Sequence, residues 1–566
     1  MMEIEHEFQL PIYYLKNKQE ISNHITNDLE LEDTSDVPSL YRIVFDPKSS
    51  FASNNISLWN KYYTSDVSFL KDTQKLISSN HFNDINIDFK HDNIIDIWKQ
   101  IENDNDSFIE KYQYIDWPIF KNFNNNSSFL QFWSVYNMAS PVLSLALPII
   151  MLIFPFFILK LQGISLTISV YFNLLQKILS KHHIGQLFQL GEASWDKRIY
   201  IFVSLFFYIL QIYQNILTCI KFFSNISTIH NQLFIIKNYI QITLNNMELF
   251  ETKFKSLKTY TPFIDKCNHH KNSLLIFYND LLSISPYKIS ISKFYELGHI
   301  MKCFYQLYNN KVYISSLKYS FGFNGYLENI IGFKNNQKLM SINKTYFKNK
   351  KSIFKNAYFP AIKNPIKNSY NLEKHALITG PNAAGKTTIL KTTIFNILIS
   401  QQIGFGFFDK ANFKPFDFIH CYINIPDTSG RDSLFQAEAR RCKNILDQIK
   451  NNNFRHFCIF DELYSGTNPY EAIGSAVAFL SYLNNFSNIK FMITTHFLDL
   501  CKKLKTNTNF ANYHMKIVSE KNNFKYIYKL DNGISDIKGG VKVLKDLDYP
   551  DIIINYASKI INKLSI

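Results

Sequence analysis

The sequence predicts an α/β domain at the C-terminal end of the chain, preceded by a mainly α-helical region that contains a transmembrane helical hairpin. Three observations predict it. A glycine-rich loop, Gly380-Pro-Asn-Ala-Ala-Gly385-Lys386-Thr387, sits between an apolar run, Ala376-Leu377-Ile378, and a helical pattern from Thr388 to Ile399. A second apolar run, Phe457 to Phe460, ends in Asp461-Glu462. Upstream, two uncharged stretches, 141–159 and 199–220, are long enough to cross a bilayer.

A chain of 566 residues is too long for one core, so two to four domains are expected. With 46% hydrophobic and 19% charged residues it belongs with globular rather than disordered chains. The net charge of +15 suits phosphate-bearing partners, nucleic acid or anionic lipid, although chains that bind neither also carry such an excess. Seven cysteines (Cys219, Cys267, Cys303, Cys421, Cys442, Cys458 and Cys501) are scattered without a CxxC or Cys/His cluster. That spacing indicates neither a disulfide framework nor a zinc site and fits a reducing compartment. The start, MMEIEHEFQL, lacks the basic-then-apolar layout of a signal peptide.

Four regions follow in order. Residues 1–125 mix polar and aromatic residues with Asn/Asp-rich punctuation; Val67 to Ser79 reads as a short helix, and the region's chemistry is not legible. Residues 126–221 hold the two apolar stretches, bracketed by Lys160, Lys197-Arg198 and Lys221. Pro148 and Pro155 fit a straight soluble helix poorly, since each removes a backbone bond at about 3 kcal/mol, and membrane helices tolerate them better. The intervening loop is basic, which the positive-inside rule would keep in the cytosol beside the nucleotide; a re-entrant segment at Ile164 to Leu179 would relieve that conflict. Residues 222–350 read as helical, a lever or core-like region, with Ile229, Leu233, Ile236, Tyr239 and Ile240 on one face. Residues 351–566 form the α/β domain.

The glycine-rich loop satisfies GxxxxGK[ST] in the strand–loop–helix setting its chemistry needs, which makes the domain a P-loop NTPase. Gly380, Pro381, Asn382, Ala383, Ala384, Gly385, Lys386, Thr387 and Thr388 are the nucleotide-binding candidates. Backbone N–H groups and the helix N-terminus would cradle phosphates, Lys386 would neutralise the β/γ-phosphates and Thr387 would ligate Mg²⁺. Asp461, at a strand's carboxyl end, would hold Mg²⁺ through water, and Glu462 would polarise the attacking water. A further strand, Lys490 to Thr495, delivers His496, an imidazole placed to sense the γ-phosphate.

Together these residues carry a resemblance. TGPNAAGKTT, FDELYSGTNPYE and TTH resemble, in order and spacing, the Walker A, Walker B with D-loop, and histidine switch of the MutS family. Ser429-Gly-Arg-Asp-Ser433-Leu-Phe-Gln-Ala-Glu438 is similar to its Ser-containing signature. Tyr528 to Gly533, Gly540 to Leu547 and Pro550-Asp-Ile-Ile-Ile are similar to its closing strand and helices. Ala383-Ala384 stands where the family usually has Met-Gly, and Ser433 lies one residue farther from Gly430 than is usual.

The resemblance implies ATP and Mg²⁺ as cofactors and hydrolysis to ADP and phosphate. It also implies a homodimer with composite sites, in which Ser433 and Glu438 face the nucleotide held by the partner, and action on DNA related to mismatch repair. Mismatch-reading members insert an aromatic from an F-x-E motif; Phe108-Ile-Glu110 and Phe294-Tyr-Glu296 match its letters, as chance allows among 51 Phe, and no surrounding DNA-facing domain is legible. A different class of reading is a membrane-anchored, ATP-driven scaffold or remodelling protein that does not touch DNA. The LSGGQ signature of transporter and SMC-type ATPases is absent. The chain is expected at a membrane with its ATPase domain on the cytosolic side, the alternative being a soluble intracellular protein.

Overall fold

The computed structural model describes residues 7–33, 38–89, 91–103, 108–163, 167–179, 194–286, 291–348, 351–423, 433–450, 453–520, 523–535, 541, 544–545 and 547–563. The chain divides into two units, and neither is continuous in sequence. One comprises Met1–Asp88, Asn246–His270 and Lys318–Ile566, the other Phe89–Asn245 and Lys271–Leu317.

Among the described residues the chain runs through β1 (Lys18–Glu20), β2 (Tyr62–Thr64), α1 (Val67–Ser78) and α2 (His91–Asn103). Six helices follow: α3 (Ser127–Leu161), α4 (Ile168–Leu179), α5 (Trp195–Phe254), α6 (Thr261–Leu281), α7 (Ile291–Asn309) and α8 (Lys311–Leu339). Next come β3 (Ile342–Tyr346), β4 (Ile353–Ala357), β5 (Asn368–Asn371), β6 (His375–Thr379), α9 (Lys386–Ile403), β7 (Phe405–Phe407), β8 (Lys410–Asn412) and β9 (Phe418–Tyr422). The chain ends with α10 (Leu434–Lys450), β10 (His456–Asp461), α11 (Pro469–Leu483), β11 (Ile489–Thr495), α12 (Leu498–Leu504), β12 (Phe510–Glu520), β13 (Asn523–Asn532) and α13 (Asp551–Lys563).

In the first unit a six-stranded sheet has the order β13-β12-β6-β11-β10-β9, parallel except for the β12–β13 hairpin. Every residue of β6 is buried, as a central parallel strand covered on both faces must be. A second sheet, β5-β4-β8-β3-β7, pairs mostly antiparallel.

Between them, α9 is buried almost all round, and its buried polar residues bond within the protein. Gln402 Nε2 donates to the carbonyls of Trp59 (2.6 Å) and Tyr62 (2.9 Å), while its Oε1 accepts from the Tyr41 hydroxyl at 2.9 Å. Gln401 Nε2 donates to Thr64 O and Phe416 O, and Asn396 Oδ1 accepts from Phe407 N. Residues of the first 88 thus pack directly on the helix that follows the P-loop. Val67–Ser78 is the short helix expected there, started by Asp66, whose carboxylate accepts from the Ser68 and Phe69 N–H groups.

The second unit is helical. Gly298 of α7 lies against α3, where an added Cβ would fall 2.1 Å from Ser127 O, and Gly298 N donates to Gln131 Oε1 at 2.8 Å. Helix α3 continues through Pro148 and Pro155. Ile229, Leu233, Ile236, Tyr239 and Ile240 of α5 are buried, which is the face the spacing predicts. Phe108, one of the two chance matches to F-x-E, has a ring 1% exposed that stacks on Tyr308 at 3.6 Å, so a core contact accounts for it. None of the seven cysteines is disulfide-bonded.

Candidate nucleotide site

The carboxyl ends of β6, β11 and β10 converge because the parallel register sets Thr379 beside Thr495 and Asp461 beside Thr494. Beyond β6 the backbone must turn back on itself to open the loop, and it does so at Gly380 (φ +153°), Ala383 (φ 63°) and Gly385 (φ +92°). Gly385 begins α9, and a Cβ there would sit 3.1 Å from the Tyr528 ring, so only glycine fits without a shift.

Lys386 is 6% exposed and folds its ammonium over the loop. Its Nζ donates to Gly380 O (2.9 Å), Pro381 O (3.3 Å) and Asn382 Oδ1 (3.4 Å), and it faces Glu462 Oε1 at 3.2 Å. Thr387 Oγ1 donates to Asp461 Oδ2 at 2.6 Å, while the Thr494 hydroxyl donates to the other carboxylate oxygen. Glu462 lies in the left-handed region (φ 52°), fixed by its N–H to Thr494 O at 3.1 Å. That turn aims its carboxylate at both Lys386 and His496, whose Nδ1 is 3.5 Å from Oε2. The His496 hydrogen bond, assisted by the Lys386 charge, pulls the Glu462 carboxyl down to about 2, so it stands ionised at neutral pH.

These groups line a cavity of about 920 Å³. Pro381, Asn382, Ala383, Gly385, Lys386, Thr387, Thr388, Asp461 and Glu462, all named above as candidates, border it. Gly380 and Ala384 shape the loop from behind, and His496 reaches the site through Glu462. Sequence reasoning missed an apolar wall of Phe359, Ile362, Met515 and Tyr528, which suits a flat base opposite the phosphates. The register shift in the β12–β13 hairpin after Met515 is not visible in the strand pattern. Thr387 and Asp461 offer a hydroxyl and a carboxylate, hard oxygen donors that fit Mg²⁺. Among the described residues no three His, Cys, Asp or Glu side chains gather to hold a metal, so phosphate and water oxygens would complete that shell.

Ser433 and Glu438 do not border the cavity. Ser433 is exposed and caps α10: its Oγ accepts from Gln436 N, and its own N–H donates to Gln436 Oε1, a reciprocal capping box. Glu438, expected to face a partner's nucleotide, turns inward instead. It is 2% exposed, and its carboxylate accepts from Ser465 N (3.1 Å), Ser465 Oγ (2.9 Å) and Gly466 N (3.2 Å), because a buried charge must find donors in its own chain. Ser429 to Asp432 of the signature, and Gly540, Lys542, Val543 and Asp546 of the closing segment, lie outside the described residues.

Residues 376–565 match the model of a family described as MutS domain V. The chain is 28% identical over 190 residues to the DNA mismatch repair protein MutS of Lactococcus lactis subsp. cremoris (strain SK11), covering 33% of this chain and 22% of that protein. It is 29% identical over 201 residues to that of Wolbachia pipientis wMel (35% and 23%) and 29% over 216 residues to that of Persephonella marina (37% and 24%). The chain thus spans less than a quarter of the length of these relatives.

Proposed function

The chain is a divergent member of the MutS family, and from that premise we propose that its α/β domain binds ATP with Mg²⁺ and hydrolyses it to ADP and phosphate. One observation carries the reading: Lys386, Thr387, Asp461 and Glu462 line one cavity, where Thr387 bonds Asp461 and Glu462 faces both Lys386 and His496. Mg²⁺ would neutralise developing charge on the phosphates from Thr387 and Asp461. Lys386 leaves the loop carbonyls and Glu462 to meet the β/γ-phosphates. Glu462 thereby loses one of the charges that depress its pKa, and it becomes more basic as it orients water. His496, bonded to the same carboxylate, reports that change to β11.

Two heads would close on ATP and part on hydrolysis, with Ser433 reaching the partner's nucleotide; the family relationship supports this. DNA as the object of that motion is supported by the relatives' printed role and by the +15 charge. A second reading, a membrane-associated scaffold with its ATPase domain on the cytosolic side, is supported by the exposed apolar helices of the second unit. Retention of radiolabelled ATP with and without Mg²⁺ tests the site, and a protein that retains none removes it. A mobility-shift titration with matched, mismatched and branched duplexes tests DNA, and no binding at low salt removes that role.

A further inference from the structure

The second unit exposes apolar surface on a scale that a water-facing protein does not carry. Among the described residues, α5 is long and apolar enough to cross a membrane, and almost none of its apolar stretch is buried. Phe202, Phe206, Phe207, Ile209 and Tyr213 are each close to 60% exposed. On α3, Phe154 and Phe157 are each 55% exposed. No charged residue occurs between Lys121 and Lys160, or between Arg198 and Lys221, so this surface offers nothing to a phosphate backbone.

We infer that α3 and the Trp195–Lys221 part of α5 form a lipid-facing hairpin that crosses a phospholipid bilayer. Its length fits. Cys219 Sγ meets Met138 O at 3.4 Å, Lys160 lies 22 residues after Met138, and Lys197 lies 22 before Cys219. At 1.5 Å per residue both limbs extend about 33 Å from that contact to their basic ends, against about 30 Å of hydrocarbon.

Aromatic rings mark both ends, as membrane interfaces require. At one end Trp117, Phe120, Phe123, Phe129, Trp133 and Tyr136 form a continuous ladder with ring centroids 4.9 to 6.3 Å apart. At the other, Trp195 (77% exposed) lies under the Arg198 guanidinium, and Tyr200 of the same helix is exposed. Lys121 and Lys221 at the first end, and Lys160, Lys197 and Arg198 at the second, complement anionic headgroups.

The inference rests on the membrane reading above and is independent of hydrolysis. Its test uses the full chain with phosphatidylcholine–phosphatidylglycerol vesicles, whose acyl chains are brominated near the headgroup or near the chain end. The protein floats with the vesicles, and shallow bromines quench its tryptophan fluorescence several-fold more than deep ones. Trp133→Phe and Trp195→Phe each remove part of that shallow quenching, since buried Trp59 and Trp98 contribute none. Phe154→Lys with Phe206→Lys lowers the vesicle-bound fraction at least tenfold and leaves ATP retention unchanged. The floated protein resists alkaline carbonate, and its release by carbonate overturns the crossing hairpin while sparing peripheral attachment. Absence of flotation overturns the membrane reading as well, and a lipid-free dimer broken by the two lysines would assign the face to a second copy of the chain.

Discussion

Glu462→Gln separates binding from hydrolysis at this site. The carboxyl is held at about 2 against an ordinary 4.5, chiefly by His496 and then by Lys386, a total of about 3 kcal/mol. Only the Lys386 share opposes nucleotide, because the ammonium must leave Glu462 Oε1 to reach phosphate. Removing the charge therefore tightens ATP binding by roughly 3- to 30-fold, a figure kept below the full shift because the carboxylate is partly exposed. Turnover falls by about 10²–10⁴ with the loss of the group that orients water. Calorimetric titration of ATP with Mg²⁺ reads the first effect and phosphate release at saturation the second. Turnover within tenfold of the unmodified protein would refute the base assignment, and tenfold weaker binding would refute the competition for Lys386.

Three further outcomes are expected. Burial holds the imidazoles of His375 and His420 at about 3 and that of His456 at about 4, so each must stay neutral in the fold. Their stabilising share is present above about pH 6.5 and is lost as pH falls toward 4, at about 2 kcal/mol each by pH 5; urea unfolding that is flat between pH 7.5 and 5 would contradict it. Gln402→Ala strands two backbone carbonyls and the Tyr41 hydroxyl and costs about 2–4 kcal/mol in the same assay, whereas a loss under 1 kcal/mol would mean water replaces the amide. Ser433→Ala removes a helix cap worth about 1 kcal/mol; turnover unchanged at high protein concentration would leave the cap as its whole role.

The phosphate cradle was legible because its chemistry fixes residue types within a few positions, and the ends of β6, β10 and β11 fall where the apolar runs stop. The first 88 residues were illegible for the opposite reason. Their role is written in contacts more than 300 residues apart, such as Tyr41 with Gln402 and Asp28 with Cys421, and no local pattern encodes such a partner. The division into two discontinuous units is hidden likewise, since α5, α6 and α8 each contain a unit boundary without a break in helical pattern. Ser433 shows a subtler limit. Ser-Leu-Phe-Gln reads equally as a family signature and as a capping box, and the hydrogen bonds present are those of the box.

Helix α9 is gripped at both ends, by the phosphate loop at its first turn and by the backbone of Trp59, Tyr62 and Thr64 at its last. An α-helix of 18 residues is a rod about 27 Å long with almost no axial give. A γ-phosphate that moved the first turn would find little slack inside such a rod. The displacement would pass to the anchorage at the distant end, and with it to the opening stretch of the polypeptide.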